Sequence, residues 1–383
     1  MPKRKKVELL HIPTNLDELN NTLKLSRTQG GKLGAAMDVA ERMYKDQATV
    51  FVSVAGAVTP TGAGGYLIDL INLGLVDVIV TTGANITHDL HFALDTPLFH
   101  CDPHTVDDFE LQKSHEERIY DVVLNPNCLP EVGKFIRKWI RATNIEPTLS
   151  SSEFVDRLGW EILKHAPSPK NSFVAQAALL GIPVYCAALS DSEIGMNVSI
   201  EEIDDIVLAR DKKSLKVNNA LDLLEMAGIF LTAKSTGLIV IGGGHPKNYT
   251  TQNSPAVKED YIYPDIKKDF PNQIHRNPED LGGLDYMIKI STDVPHFGGC
   301  SGATESENMT WNKLKPGTLE QENGVEVNAD FSLALPILLA YINTKIGKIE
   351  SKRLGDKMGR IKQLALRVRQ KRIEAYGLES KRD

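Results

Sequence analysis

The feature that most constrains this chain is a pattern that occurs three times: an apolar, β-branched run stops at a Gly- or Thr-rich loop, usually with a helical spacing after it. The segments are ATVFVSVAGAVTPTGAGG, VDVIVTTGAN and STGLIVIGGGHPKN. Runs such as Val78, Ile79, Val80 or Leu238, Ile239, Val240, Ile241 are apolar on both faces, as strands inside a helix-covered parallel sheet must be. Between them the spacing predicts helices from Ala63 to Leu75, Leu129 to Ala142, Glu153 to Lys164, Asn171 to Gly181, Leu215 to Ala227 and Phe331 to Tyr341. This alternation implies an α/β fold with a central, mostly parallel sheet and helices on both faces. Ligands of such sheets bind at the carboxyl ends of the strands, where the three loops lie.

At 383 residues, 42% hydrophobic and 25% charged, the chain is outside the disordered, collagen-like and disulfide-scaffold classes. No apolar stretch reaches the roughly 18 residues that span a bilayer, and the start MPKRKKVELLH lacks an apolar signal core, so the expected location is cytoplasmic. Cys101, Cys128, Cys186 and Cys300 form no Cys-x-x-Cys pair and read as free thiols. From Lys345 onward, 13 Lys/Arg face 5 Asp/Glu, a surplus of 8 that leaves −14 of the net −6 on the preceding residues. An acidic body suits a cationic substrate and disfavours nucleic acid. The expected organisation is one catalytic α/β domain over 1–343 and a basic helical tail over 344–383, with Ile361, Leu364, Val368 and Ala375 at loosely helical spacing. The polar stretch from Thr250 to Gly283 reads as an inserted loop, a lid or a surface excursion.

Gly-rich loops after strands let backbone N–H groups approach phosphates. None here matches G-x-G-x-x-G, but three of them, with Asp191 and Asp330 near strand ends, favour a nucleotide cofactor. In SENMTWNKLKPG, Lys313 is a candidate imine-forming amine, which must be desolvated or near another cation to lose its proton. Trp311 offers an apolar wall and a π-face for a cationic substrate, and Glu307 a carboxylate for an ammonium group. The window TTGANITHDLHFALDTPLFHCDPH is rich in histidine, yet its spacing matches no zinc signature, so no metal is expected and His88 reads as a hydrogen-bonding site residue. No G-x-S-x-G elbow supports Ser/His/Asp hydrolysis.

Taken in order, GAVTPTG, VDVIVTTGA, RLGWEI, IPVYCAALSD, TGLIVIGGG, WNKLK and NADFSLALP resemble the deoxyhypusine synthase family, and more the bacterial deoxyhypusine synthase-like branch, from about Val50 to Tyr341. The resemblance implies a Rossmann-like fold and an NAD-dependent transfer of a 4-aminobutyl group from spermidine, through an imine on a lysine, to a lysine of translation initiation factor 5A. It implies Lys313 as the carrier, Glu307, Trp311 and Asn248 in the amine pocket, and a homotetramer with sites at subunit interfaces. It implies NAD contacts from Gly56, Ala57, Val58, Thr59, Pro60, Thr82, Gly83, Ala84, Asp191, Gly243, Thr292, Asp293 and Asp330. The polyamine half departs from the family pattern. Thr87 and His88 stand where two acidic residues are expected, Met196 and Cys300 where others are, and Asn248 where a histidine is, with His245 three residues earlier. A buried polycation needs carboxylates in place of water, so this chain implies weaker spermidine binding, another amine, or His88 and His245 as replacement bases. Two rival readings follow: a homospermidine synthase with putrescine as acceptor, and an NAD-binding sensor or assembly protein without turnover. Eukaryotic members cover the site with an N-terminal segment, a part assigned here to the loop at 250–283.

Overall fold

Strands form where the apolar runs were found. The computed structural model describes residues 6–142, 148–209, 215–261 and 263–376; positions 1–5 of the expected catalytic domain and 377–383 of the basic tail lie outside the described residues. The described strands are β1 (Thr49–Val54), β2 (Val78–Thr81), β3 (Leu98–His100), β4 (Glu117–Ile119), β5 (Val122–Leu124), β6 (Thr148–Leu149), β7 (Val184–Cys186), β8 (Lys216–Val217), β9 (Thr236–Ile241), β10 (Tyr286–Ile290) and β11 (Gly324–Val327). Six of them form one sheet in the order β11-β10-β9-β1-β2-β7, with every pairing parallel. The chain builds outward from β1 through β2 to β7, then restarts at β9 on the other side of β1. The connections leaving β1 and β9 therefore diverge, which opens a crevice at their carboxyl ends. The three segments singled out in the sequence are β1, β2 and β9, the middle of this sheet.

Every residue of β1, β2 and β9 is buried. Side-chain alternation divides them between two cores. Val50, Val52, Val54, Ile239 and Ile241 join one apolar cluster, and Phe51, Val78, Val80, Leu238 and Val240 join another on the opposite face. Helices Thr28–Lys45, Gly64–Asn72 and Phe331–Lys345 cover the first face. Asn219–Thr232 and Met358–Tyr376 cover the second. A three-stranded antiparallel sheet, β3-β5-β4, stands outside the main one.

Two spans differ from the sequence reading. Residues 250–283 are no lid. They begin inside helix Gly244–Ala256, continue through a π-helical turn at Val257–Tyr261 and a short helix Ile266–Asp269, and bury Val257, Tyr263, Ile266, Phe270, Ile274 and Leu281 in the second core. Polar residues can be buried there because the helix backbone satisfies them: Thr250 Oγ1 donates to Pro246 O at 2.8 Å and Asn253 Nδ2 to Tyr249 O at 2.7 Å. The basic tail does not stand apart from the body either. Helix Met358–Tyr376 buries Ile361, Leu364, Ala365 and Val368 in the same core, while Ala375 is exposed.

Candidate active site

The site is assembled on loops leaving the carboxyl ends of β1, β9, β10 and β11. After β1 the chain turns through Gly56 at φ 83°, and after β9 through Gly242 at φ 81° and Gly243 at φ 110°. At Gly243 a Cβ would stand 2.7 Å from the Ser301 side chain, so only glycine lets that loop close before helix Gly244–Ala256 starts. A cleft of about 950 Å³ lies over these loops. Gly56, Ala57, Thr292 and Asp330 line it, four of the residues the sequence assigned to the cofactor. Asp330 also caps helix Phe331–Lys345, accepting from Ser332 N at 2.8 Å.

The other assigned residues surround the cleft. Val58, Thr59 and Pro60 are buried behind the first loop. Thr82 caps helix Gly83–Ala93, Gly83 is buried against Ser192, and Ala84 is exposed. Asp191 is exposed in the loop before helix Glu193–Val207, and Asp293 folds over Gly299. A residue not singled out from the sequence joins the loops after β1 and β2. Asn85, 1% exposed, accepts from Thr59 N at 3.1 Å and donates to Gly56 O at 3.1 Å and Thr82 Oγ1 at 3.2 Å.

Lys313 lies on the loop after helix Glu305–Thr310. Its backbone is fixed by bonds from Lys313 N to Asn308 O at 2.9 Å and from Leu284 N to Lys313 O at 3.0 Å. Its amine donates to Asn248 Oδ1 at 2.7 Å and sits 5.8 Å from the Trp311 ring centroid. Burial lowers the Lys313 pKa below the usual lysine value, against the opposing pull of Cys300 and Glu307. Lys313, Asn248 and Trp311 are thus brought together, with Glu307 exposed nearby. Two lysines absent from the sequence reading hold the neighbouring loop. Lys247, 1% exposed, donates to Cys300 O at 3.0 Å, and Lys289, fully buried, donates to Ser301 O and Ala303 O at 3.0 Å and pairs with Glu326. A signal existed for Lys289, the one charge in the apolar strand YMIKI.

The two candidate histidines lie on helices Gly244–Ala256 and Gly83–Ala93. His245 is exposed in the first turn of the helix that carries Asn248, and its ring meets Tyr249 at 6.0 Å. His88 lies on helix Gly83–Ala93 with its ring 5.3 Å from His91, and burial pushes its pKa down to about 4. Among the described residues no three His, Cys, Asp or Glu side chains converge as metal ligands, and no helix is long and apolar enough to cross a membrane.

Fold and site together define a doubly wound α/β protein with a cleft over its strand-end loops and, on a separate loop, a partly buried lysine amine. The deoxyhypusine synthase family model matches residues 18–342. A deoxyhypusine synthase-like protein of Thermosynechococcus vestitus is 34% identical over 349 residues, 86% of this chain and 80% of that one. A "Probable deoxyhypusine synthase 1" of Archaeoglobus fulgidus is 30% identical over 83% of this chain and 90% of its own. The chain belongs to the deoxyhypusine synthase family, a family of transferases. A solved structure described as "a putative deoxyhypusine synthase from Entamoeba histolytica" matches with TM-score 0.53 at 15% identity, over 88% of this chain and 96% of that one, and shares the fold.

Proposed function

We propose that the protein is an NAD-dependent aminobutyl transferase that carries a 4-aminobutyl group from spermidine or a related polyamine as an imine on Lys313 and delivers it to an amine acceptor. The observation that carries this reading is the Lys313 amine itself, desolvated, held by Asn248 and set beside an indole face. A neutral amine is the nucleophile that captures an iminium carbon. Capture releases 1,3-diaminopropane, and the acceptor amine then displaces Lys313.

The cleft fits a dinucleotide. It joins open backbone at Gly56, where no atom lies within 4 Å of a notional Cβ, to carboxylates at Asp69, Asp121 and Asp330 that suit ribose hydroxyls. No Lys or Arg lines it to meet an additional phosphate. Bound there, NAD would supply acceptance and return of one hydride. Trp311 and Glu307 would orient the cationic chain. His245, three residues before Asn248, and His88, kept neutral by burial, would move protons.

Two acceptors remain in play, a lysine of translation initiation factor 5A and free putrescine, which would give homospermidine. Cys300 and Met196, both exposed where the family pattern has acids, favour a changed amine pocket. Incubation with NAD and spermidine, assay of 1,3-diaminopropane and borohydride trapping on Lys313 test the chemistry. Adding putrescine or factor 5A separately identifies the acceptor. Bound NAD without release of any diamine would leave a binding protein instead.

A further inference from the structure

One charge lies inside the apolar sheet, and its bonds lead toward Lys313. Lys289 stands in β10, where all five residues are buried, and its side chain has no exposure. Its register neighbours are Val240 on β9 and Glu326 on β11. By alternation it shares the face of Met287, which belongs to the second core. A methionine would fill such a place without a charge. Burying an ammonium group there is costly unless it is fully paired.

Lys289 is fully paired. Its Nζ donates to Ser301 O and Ala303 O, each at 3.0 Å, and meets Glu326 Oε1 at 3.0 Å, which uses all three N–H bonds. Two of these partners are backbone carbonyls of a segment that follows an exposed stretch. Every residue from Pro295 to Cys300 is exposed, so apolar burial does not anchor that stretch.

The segment 301–303 is where two elements of the site meet. Ser301 Oγ accepts from Gly244 N at 2.7 Å, at the start of the helix that carries Asn248. On the other side Thr304 caps helix Glu305–Thr310, accepting from Glu307 N at 3.1 Å, and its carbonyl accepts from Asn308 N and Asn308 Nδ2 at 2.9 Å. Asn308 O in turn accepts from Lys313 N at 2.9 Å. The 2.7 Å contact between Lys313 and Asn248 therefore joins two elements that are tied together at the carbonyls Lys289 holds. We infer that Lys289 is a positioning residue for Lys313: by holding Ser301 and Ala303 it sets where the Lys313 loop meets the helix bearing Asn248, and so keeps the amine in place against that helix. This inference rests on the imine reading above for what the placement serves, and on these bonds for the placement itself.

Lys289→Met alone would leave the mostly buried Glu326 without its partner and can unfold the chain, so the test combines it with Glu326→Gln. Replacing both members of a buried pair is tolerated better than removing one, and one charge of each sign is lost, so a change at Lys313 is not Coulombic. The measurements on the full chain are the thermal midpoint, the pH midpoint of Lys313 modification by an amine-directed reagent, and the rate of borohydride-trapped adduct with NAD and spermidine. In the folded double variant the modification midpoint should rise by about 1 pH unit, because a displaced amine regains water. The maximal trapping rate should fall about ten- to a hundredfold, as small misplacements of a reacting group cause, while the spermidine concentration for half-maximal trapping stays within about twofold. Glu326→Gln alone keeps both carbonyl bonds and should keep the parent midpoint. A parent-like midpoint in the folded double variant would overturn the inference. So would a midpoint raised by Glu326→Gln alone, which is readable even where the double variant does not fold. Absence of adduct in the unsubstituted protein would overturn the imine reading instead, and the modification midpoints would still decide the placement.

Discussion

Lys313 and Asn248 are joined by one 2.7 Å bond, and the sign of the charge at residue 248 decides what the amine can do. An amide oxygen orients the amine without fixing a proton on it. A carboxylate of the same shape would stabilise the ammonium form, so Asn248→Asp should raise the Lys313 pKa by about 1 to 3 units, as an opposite charge in contact does. The check is the pH dependence of Lys313 modification by an amine-directed reagent, read by peptide mass. An unmoved midpoint would show that the amine is governed from elsewhere. Lys313→Ala should abolish borohydride-trapped adduct entirely, and surviving adduct at another lysine would displace Lys313 from its role. The buried histidines carry a second pH signature. His91 is fully buried, and burial first, then the neighbouring His88 charge, pushes its pKa down to about 4 from 6.5. The unfolded chain therefore binds a proton that the folded one refuses, and stability is lost as pH falls from about 6.5 toward 4. His91→Gln should flatten this stretch of the pH profile of unfolding free energy, measured by urea titration, by about 1 to 3 kcal/mol.

The second core shows how a sequence rule can be reversed at the scale of an element. Gly228 sits in helix Asn219–Thr232, where alanine would ordinarily gain roughly 1 kcal/mol of helix propensity. A Cβ there would lie 2.5 Å from Ile361 Cγ2 and 2.6 Å from Ile361 O, forcing helix Met358–Tyr376 outward. Gly228→Ala should therefore destabilise the protein by about 1 to 3 kcal/mol, the usual cost of overpacking, visible as a lower thermal midpoint; a raised midpoint would mean that the two helices do not pack this closely. The strands β1, β2 and β9 were legible because burial on both faces demands unbroken apolar runs. The stretch 250–283 was not, since its buried Thr250, Thr251, Asn253 and Ser254 look solvent-facing until their bonds are known. Lys313, Trp311, Asn248 and the four cleft-lining residues were singled out through family motifs, Asp330 also through its place near a strand end. Asn85 and Lys247 were hidden because their roles depend on partners dozens of residues away.

At the scale of the molecule, one lysine of the last helix ties it to two helices of the body. Lys362 pairs with Glu225, which is fully buried, at 3.0 Å and with Glu153 at 2.9 Å, so the basic tail supplies a counter-charge to the acidic body. Outside this core, apolar side chains are left exposed among the described residues. On helix Glu193–Val207 the apolar residues Met196, Ile200, Ile203 and Val207 recur at intervals of four, three and four, which places them on one face. Ile203 is 57% exposed and Val207 73%, and Ile206 and Leu208 extend the patch. Trp311, Phe297 and Leu333 are likewise exposed. Patches of this kind on a stable protein mark contact surfaces, and a homotetramer that buries them would also complete the desolvation of Lys313. Sedimentation tests the homotetramer that the family resemblance implies, and Ile203→Asp should shift the assembly toward smaller species because a carboxylate cannot be buried in an apolar seam without a partner. Lys313 should then modify less readily at a given pH, since renewed solvation raises its pKa toward the ordinary lysine value. A monomer in the unsubstituted protein, or an undisturbed tetramer in Ile203→Asp, would assign this face to something other than self-association.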